Sequence, residues 1–162
     1  MRVQSEAFDA GVEMMALQAN DPSIGAVTSF VGYCRDEGGT LAALELEHFT
    51  GMAEAALDGI ADKAQERWPL DGVTIIHRYG RILPGDAIVF VGTASAHRRA
   101  SFEAADFIMD YLKTSAPFWK KEHPADKSKA ASWVDAKTSD DEDAARWAYR
   151  GTVSPPTETI KG

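Results

Sequence analysis

The chain has 162 residues, of which 44% are hydrophobic and 26% charged, and a formal net charge of −8. Those proportions suit one water-soluble domain with one sizeable core, and the acidity argues against a broad nucleic-acid or anionic-membrane surface. No apolar run is long enough to cross a bilayer, the N-terminal MRVQSEAFDAGVEMM lacks a secretory pattern, and the single cysteine excludes an internal disulfide, so a cytoplasmic location is expected.

In chain order, residues 9–19 read as a short helix with Val12, Met15 and Ala16 on one face and Asp9 as its cap. Asn20-Asp21-Pro22 stops it. The β-branched and aromatic run 24–33 reads as a strand, and RDEGGT (35–40) as a polar loop. Residues 41–49 alternate, with Leu44, Leu46 and His48 on one face and Glu45, Glu47 and Phe49 on the other. The glycine loop between these two strands predicts a β-hairpin. Residues 52–68 are the clearest helix, with Met52, Ala56, Ile60 and Ala64 at helical spacing, Thr50 as cap and Pro69 as stop.

A strand is predicted over 73–79, a turn at Leu83-Pro84-Gly85-Asp86, and a central strand over 87–94. A second strong helix spans 98–114, with Phe102, Ala105, Met109 and Leu112 as its buried stripe. Residues 120–131 read as a basic loop, 132–136 as a short strand, and 139–149 as a last helix capped by Ser139. A domain over 1–149 with a disordered tail over 150–162 is expected. Strands that run together between helices favour an α+β fold with a mainly antiparallel sheet.

The chemistry concentrates in Ser95–Glu122, which packs His97, Arg98, Arg99, Lys113, Lys120 and Lys121 into an acidic chain. Such a reversal of sign suits an anion. His97 and Arg98 sit at a helix start, where cations are unfavourable unless an anion is bound. Arg99 reads as a surface charge paired with Glu103 or Asp106. Lys113 at the helix end reads, from spacing alone, as an ordinary dipole-favoured lysine. Phe118 and Trp119 read as core or interface residues, with Lys120 and Lys121 after them. Arg35 could hold a phosphate or carboxylate with two hydrogen bonds, or stand in water. Cys34 reads as an inert, partly buried thiol, and His48 and His77 as strand residues with satisfied ring nitrogens. The four histidines show no metal-ligand spacing, and no phosphate-cradling glycine motif is present.

The stretches LEHFTGMAE (46–54), RWPLDGVTIIHRYG (67–80), PGDAIVFVGTASAHR (84–98) and FIMDYLKTSAPFWKKE (107–122) closely resemble the large, catalytic subunit of molybdopterin synthase. The match runs in order over roughly residues 24–148. The resemblance implies an α/β hammerhead fold with additional antiparallel strands and a homodimer with a small subunit at each end. It implies a sulfurtransferase that adds two sulfurs to cyclic pyranopterin monophosphate, making the dithiolene of molybdopterin. The sulfur would arrive on the C-terminal glycine thiocarboxylate of a small ubiquitin-like partner, and the step needs no metal or organic cofactor. The family's functional residues fall on Arg35, preceded by Tyr33 and Cys34, on His97 and Arg98, on Lys113, and on Lys120 followed by Lys121 and Glu122. Lys113 and Lys120 are thereby expected to be catalytic. Tyr33, Cys34, Arg35, His97, Arg98, Lys121 and Glu122 are expected to bind substrate, Cys34 without a sulfur-carrying role. Lys113 would polarise a substrate oxygen, move protons or form a covalent adduct, its pKa lowered by Arg98 and Lys120. The competing readings are a non-catalytic phospho-ligand module with a basic docking strip, a thiol enzyme using Cys34, and a purely structural basic surface.

Overall fold

The structure, a computed structural model, describes residues 1–36, 38–134 and 144–148. Its elements in order are β1 (Arg2–Gln4), α1 (Ala10–Gln18), β2 (Ala26–Tyr33), β3 (Leu41–His48), α2 (Met52–Arg67), β4 (Gly72–Arg78), β5 (Gly80–Ile82), β6 (Ala87–Ser95), α3 (Arg98–Ser115), β7 (Phe118–Pro124) and β8 (Ser132–Val134). The fold is α+β, as expected. Among the described residues, two four-stranded sheets run β1-β4-β6-β2 and β5-β3-β7-β8, and only the β1–β4 pair is parallel. The helix expected over 139–149 and the tail over 150–162 lie largely or wholly outside the described residues.

The apolar run of β6 is central, paired with β4 on one side and β2 on the other. Helices cover both faces of its sheet. On one, Leu17 of α1 packs on Ile76, Phe90 and Ala94. On the other, Leu57, Ile60 and Ala64 of α2 and Ala105, Phe107, Ile108 and Leu112 of α3 close over Ile75, Val89 and Val91. A fully buried side chain such as Leu57 or Phe107 contributes roughly 1.5–3 kcal/mol. A Cβ on Gly92 would collide with the side chains of Leu17 and Phe90, which would have to move to admit it.

The predicted β2–β3 hairpin does not form. β2 joins the first sheet through β6, whereas β3 pairs with β5 and β7 in the second. The apolar β2 pairs with the most apolar strand available, and Asp36 closes the glycine loop by accepting from Thr40 and Leu41. The basic loop predicted from 120 is, as far as Pro124, the strand β7, paired along β3 from His48↔Phe118 to Leu41↔Pro124. β1 and β5 are short additions that lie against longer strands. Asp9 caps α1, accepting from Gly11 and Val12. At α2 the cap is Gly51 rather than Thr50, with a positive φ of 83° and its N–H given to Glu54.

The buried stripes differ in detail from the predicted ones. Val12 and Met15 of α1, Met52 of α2 and Phe102 of α3 are exposed. In α3 the expected Ala105 and Leu112 are buried, and Ala100, Ser101, Ala104, Phe107 and Ile108 join them in place of Phe102. Ser101 explains this: its hydroxyl donates to Thr28 Oγ1 at 2.6 Å and Thr93 donates to its carbonyl at 2.8 Å, drawing that turn onto the sheet.

Candidate functional site

Three observations orient α3 on the first sheet. The strand register runs from Ala26↔Ser95 at one end to Tyr33↔Ala87 at the other. Ser101 is bonded to Thr28 and Thr93 near the first end. Phe118, just past the helix, stacks on His77 at 3.6 Å between ring centroids and 14° between planes; His77 lies opposite Val89, near the second end. The helix therefore travels the length of the sheet, and its two termini mark opposite ends.

This divides the expected site residues into two groups. His97 and Arg98 lie at the Ala26/Ser95 end, both exposed, with His97 as the N-cap residue of α3. Among the described residues no side chain caps that helix start, and no acidic residue stands in its first turn. Arg99, beside them, pairs with Glu103 at 2.9 Å, as expected. Lys113, in the last turn of α3, belongs to the opposite end, as does Arg35, which leaves β2 just past Tyr33. At 1.5 Å per residue, Arg98 and Lys113 are about 22 Å apart along the helix. Arg98 therefore cannot crowd Lys113 within one chain, and that part of the expectation is withdrawn.

The Arg35 end is firmly built. Cys34 donates its backbone N–H to Asp86 and accepts from Gly85, both at 2.8 Å, so the Leu83–Asp86 turn clamps the exit of β2. Gly85 has a φ of 92°, which only glycine adopts cheaply. The Cys34 side chain points into a small core with Leu44, Leu46 and Ile82 and is 2% exposed. Burial raises the thiol pKa, and Asp86, Asp36 and Glu122 raise it further. A thiol enclosed in this way is a poor nucleophile, in keeping with the reading of Cys34 as an inert thiol. Tyr33, by contrast, is 58% exposed.

Alternation along β7 separates the two adjacent lysines. Lys120 lies opposite Leu46, and Glu122 opposite Leu44, on the face of β3 that holds the core. Lys121 lies opposite Glu45 on the other face, with its Nζ 5.3 Å from the Trp133 ring. There Glu45 accepts from His123 at 2.6 Å, a contact that holds its carboxyl below the usual range. Lys120 and Glu122 thus face the same way, and Lys121 is turned from them.

The residues the sequence did not single out are those beside Lys120. His48 lies 4.5 Å from the Tyr79 ring and 6.1 Å from Phe118, which also stacks on His77. His77 Nδ1 is 2.9 Å from the Arg78 carbonyl, which can only accept, so Nδ1 carries the proton and Nε2 is the bare nitrogen. His48 Nδ1 is buried with no partner among the described residues, against the expectation of a satisfied ring. Burial, then the charges of Lys120 and His48, lower the His77 pKa to about 4. His77 is thus neutral near pH 7. Between its ordinary value and about 4 the unfolded chain binds the extra proton and the folded chain does not, so stability falls as pH drops through that window. Loss of up to about 3 kcal/mol is expected between pH 6.5 and 4, and His77→Phe should flatten it. Thermal melts of both proteins across that range check this.

The family model described as MoaE protein matches residues 3–115. The molybdopterin synthase catalytic subunit of Mesorhizobium japonicum is 57% identical over 147 residues, 91% of this chain and 92% of that protein. The Escherichia coli K12 protein of the same name is 50% identical, covering 90% and 95%. Among solved structures, the MoaE molybdopterin biosynthesis protein of Burkholderia ambifaria superposes with a TM-score of 0.78 at 50% identity, covering 92% of this chain and 97% of that one. The fold and its basic groups thus accompany close kinship to a group of molybdopterin-biosynthesis proteins. The chain belongs to the MoaE family.

Proposed function

We propose that this chain is the catalytic subunit of a molybdopterin synthase, a sulfurtransferase that moves sulfur from a small subunit's C-terminal thiocarboxylate to cyclic pyranopterin monophosphate. The single observation that carries this reading is kinship above 50% identity with molybdopterin synthase catalytic subunits over nine-tenths of the chain. The placement of Arg35, Lys113 and Lys120 at one end of the first sheet is compatible with the chemistry. Arg35 offers two parallel donors to a phosphate, and Lys113 serves as the central catalytic group. Lys120, beside the neutral His77, compensates negative charge as sulfur adds and oxygen leaves. The test is product formation: purified protein, thiocarboxylated small subunit and the cyclic monophosphate should yield a dithiolene-containing pterin. Partner binding without product would favour a docking or ligand-binding module.

The same reading includes a homodimer whose sites are shared between copies. His97 and Arg98 stand about 22 Å along α3 from Lys113 and cannot join it within one chain. A second copy supplies them. Mixing a His97→Ala/Arg98→Ala protein with a Lys113→Ala protein should then restore activity, each alone being inactive. Random exchange at equal amounts leaves half the dimers mixed, each with one intact site, so about a quarter of wild-type turnover is expected. No recovery after subunit exchange would place all the groups of one site in one chain.

A further inference from the structure

We infer that His77 is a substrate-contacting residue of this site, its Nε2 accepting a hydrogen bond from an N–H of the pterin ring. The inference rests on the sulfur-transfer reading above and adds the residue that recognises the ring rather than the phosphate.

Two contacts fix the imidazole. Nδ1 donates to the Arg78 carbonyl at 2.9 Å, which leaves the lone pair on Nε2. The face of the ring lies on Phe118 at 3.6 Å and 14°, which sets the plane in which that lone pair points. Neither contact occupies Nε2, and no described residue donates to it. Lys120 reaches His77 with its field but not with a hydrogen bond. Nor is Nε2 sealed: among the described side chains, only His48 Nδ1 is both buried and without a partner. The half-buried ring therefore holds an acceptor fixed in tautomer and plane, with its partner still to come from outside.

Strand register puts that acceptor where the cations converge. Val89 faces α2 and α3, and its cross-strand partners Gly32 and His77 share that face. Ser101, in the first turn of α3, is bonded to Thr28 and Thr93 toward the other end of the same face. The row Gly32, Val89, His77 thus lies toward the end at which α3 finishes with Lys113. Gly32 precedes Arg35 by three residues and stands two strand spacings from His77, about 10 Å. Phe118, which covers His77, is followed on the same face of β7 by Lys120. A ligand held by its phosphate at Arg35 spans this row to reach His77, with Lys113 and Lys120 alongside.

Chemistry sorts the two anchors. A lone pair repels an anion, so Nε2 does not serve the phosphate. It suits an N–H donor, of which a pterin ring has several and an ionised cyclic phosphate none. Burial of the ring, then the charges of Lys120 and His48, keep a second proton off it until about pH 4, so the acceptor persists at neutral pH. Arg35 reads the charge of the substrate and His77 reads its ring.

The experiment measures binding apart from turnover. In a Lys113→Ala background, calorimetric titration with cyclic pyranopterin monophosphate gives the dissociation constant. His77→Phe keeps the stack on Phe118, removes both nitrogens and should raise that constant about 10-fold. His77→Gln, which offers an amide oxygen near the place of Nε2, should recover most of the loss. Affinity for the small subunit should be the same in all of these proteins. With Lys113 in place, the loss should appear in KM rather than in kcat. Nitrogen NMR of histidine-labelled Lys113→Ala protein needs no change at His77: the cyclic monophosphate should move the Nε2 resonance, and inorganic phosphate, which has no ring, should not. An unmoved Nε2 resonance in protein that binds the substrate, or equal dissociation constants with and without His77→Phe, overturns the contact and leaves the sulfur-transfer reading standing. A loss confined to kcat, or to affinity for the small subunit, also overturns it, assigning His77 to Lys120 or to the small subunit's tail. A wild type that neither binds the monophosphate nor forms product overturns the reading on which the contact rests.

Discussion

Lys113→Ala is expected to reduce turnover by roughly 10²–10⁴-fold, the range seen when a positioned acid–base or charge-stabilising group is lost. The fold should be unaffected, because Lys113 is an exposed residue in the last turn of α3 and the neighbours that hold the helix are Leu112, Ile108 and Ala105. Its charge at the helix C-terminus is favourable to the dipole and worth about 0.3–1 kcal/mol. Activity and stability should therefore separate cleanly. Single-turnover formation of dithiolene product, with a thermal melt of the same sample, measures both. Lys113→Arg discriminates further: it keeps the charge but neither titrates near neutrality nor forms an imine, so it should rescue only a purely electrostatic role. A Lys113→Ala protein with most of its turnover would remove this residue from the mechanism.

Asp110→Ala should be the most damaging change to a charged side chain of α3. Asp110 is buried in α3 at 8% exposure, and one carboxylate oxygen accepts from Arg146 Nε at 2.9 Å, Arg146 Nη2 at 2.6 Å and Trp147 Nε1 at 2.6 Å. Truncation strands the indole N–H of Trp147, itself 2% exposed, and removes the partner of a guanidinium. Breaking a buried charge pair costs about 3–5 kcal/mol, but Arg146 is half-exposed and also reaches Asp106, so about 2–3 kcal/mol is expected. For a chain of this size that corresponds to a melting shift of roughly 5–10 °C. Asp110→Asn retains an acceptor for the indole and should lose less. Equal losses for the two variants would assign the effect to the lost charge rather than to side-chain volume or the indole hydrogen bond.

Much of the fold was legible because local and tertiary preferences agree in α2, α3 and β6. β7 was hidden because Lys120, Lys121 and Glu122 read as solvent-loving loop. Pairing along β3 overrides that propensity, and the β-forming Phe118-Trp119 just before them was the available signal. The hairpin failed because a glycine loop states that a chain can turn, not which strand it must meet. Phe102 was assigned to the core on size, whereas the hydroxyl of Ser101 sets the rotation of α3. At the site, charge and helix position marked Arg35, His97 and Arg98. His48 and His77 were not marked, since only the chain path of β7 brings Lys120 over them. Their signal was slight: His48 continues the apolar alternation of Leu44 and Leu46.

The placement of Arg98 and Lys113 on one helix imposes a condition of phase. Successive residues turn by about 100°, so one residue inserted midway in α3 would swing Lys113 through that angle relative to Arg98. The same insertion would rotate Ile108 and Leu112 off the sheet, coupling the bearing of the lysine to the integrity of the core. The spacing between the two basic groups is thereby protected by apolar packing that neither of them touches. A change in chain length between residues 98 and 113 is therefore not tolerable.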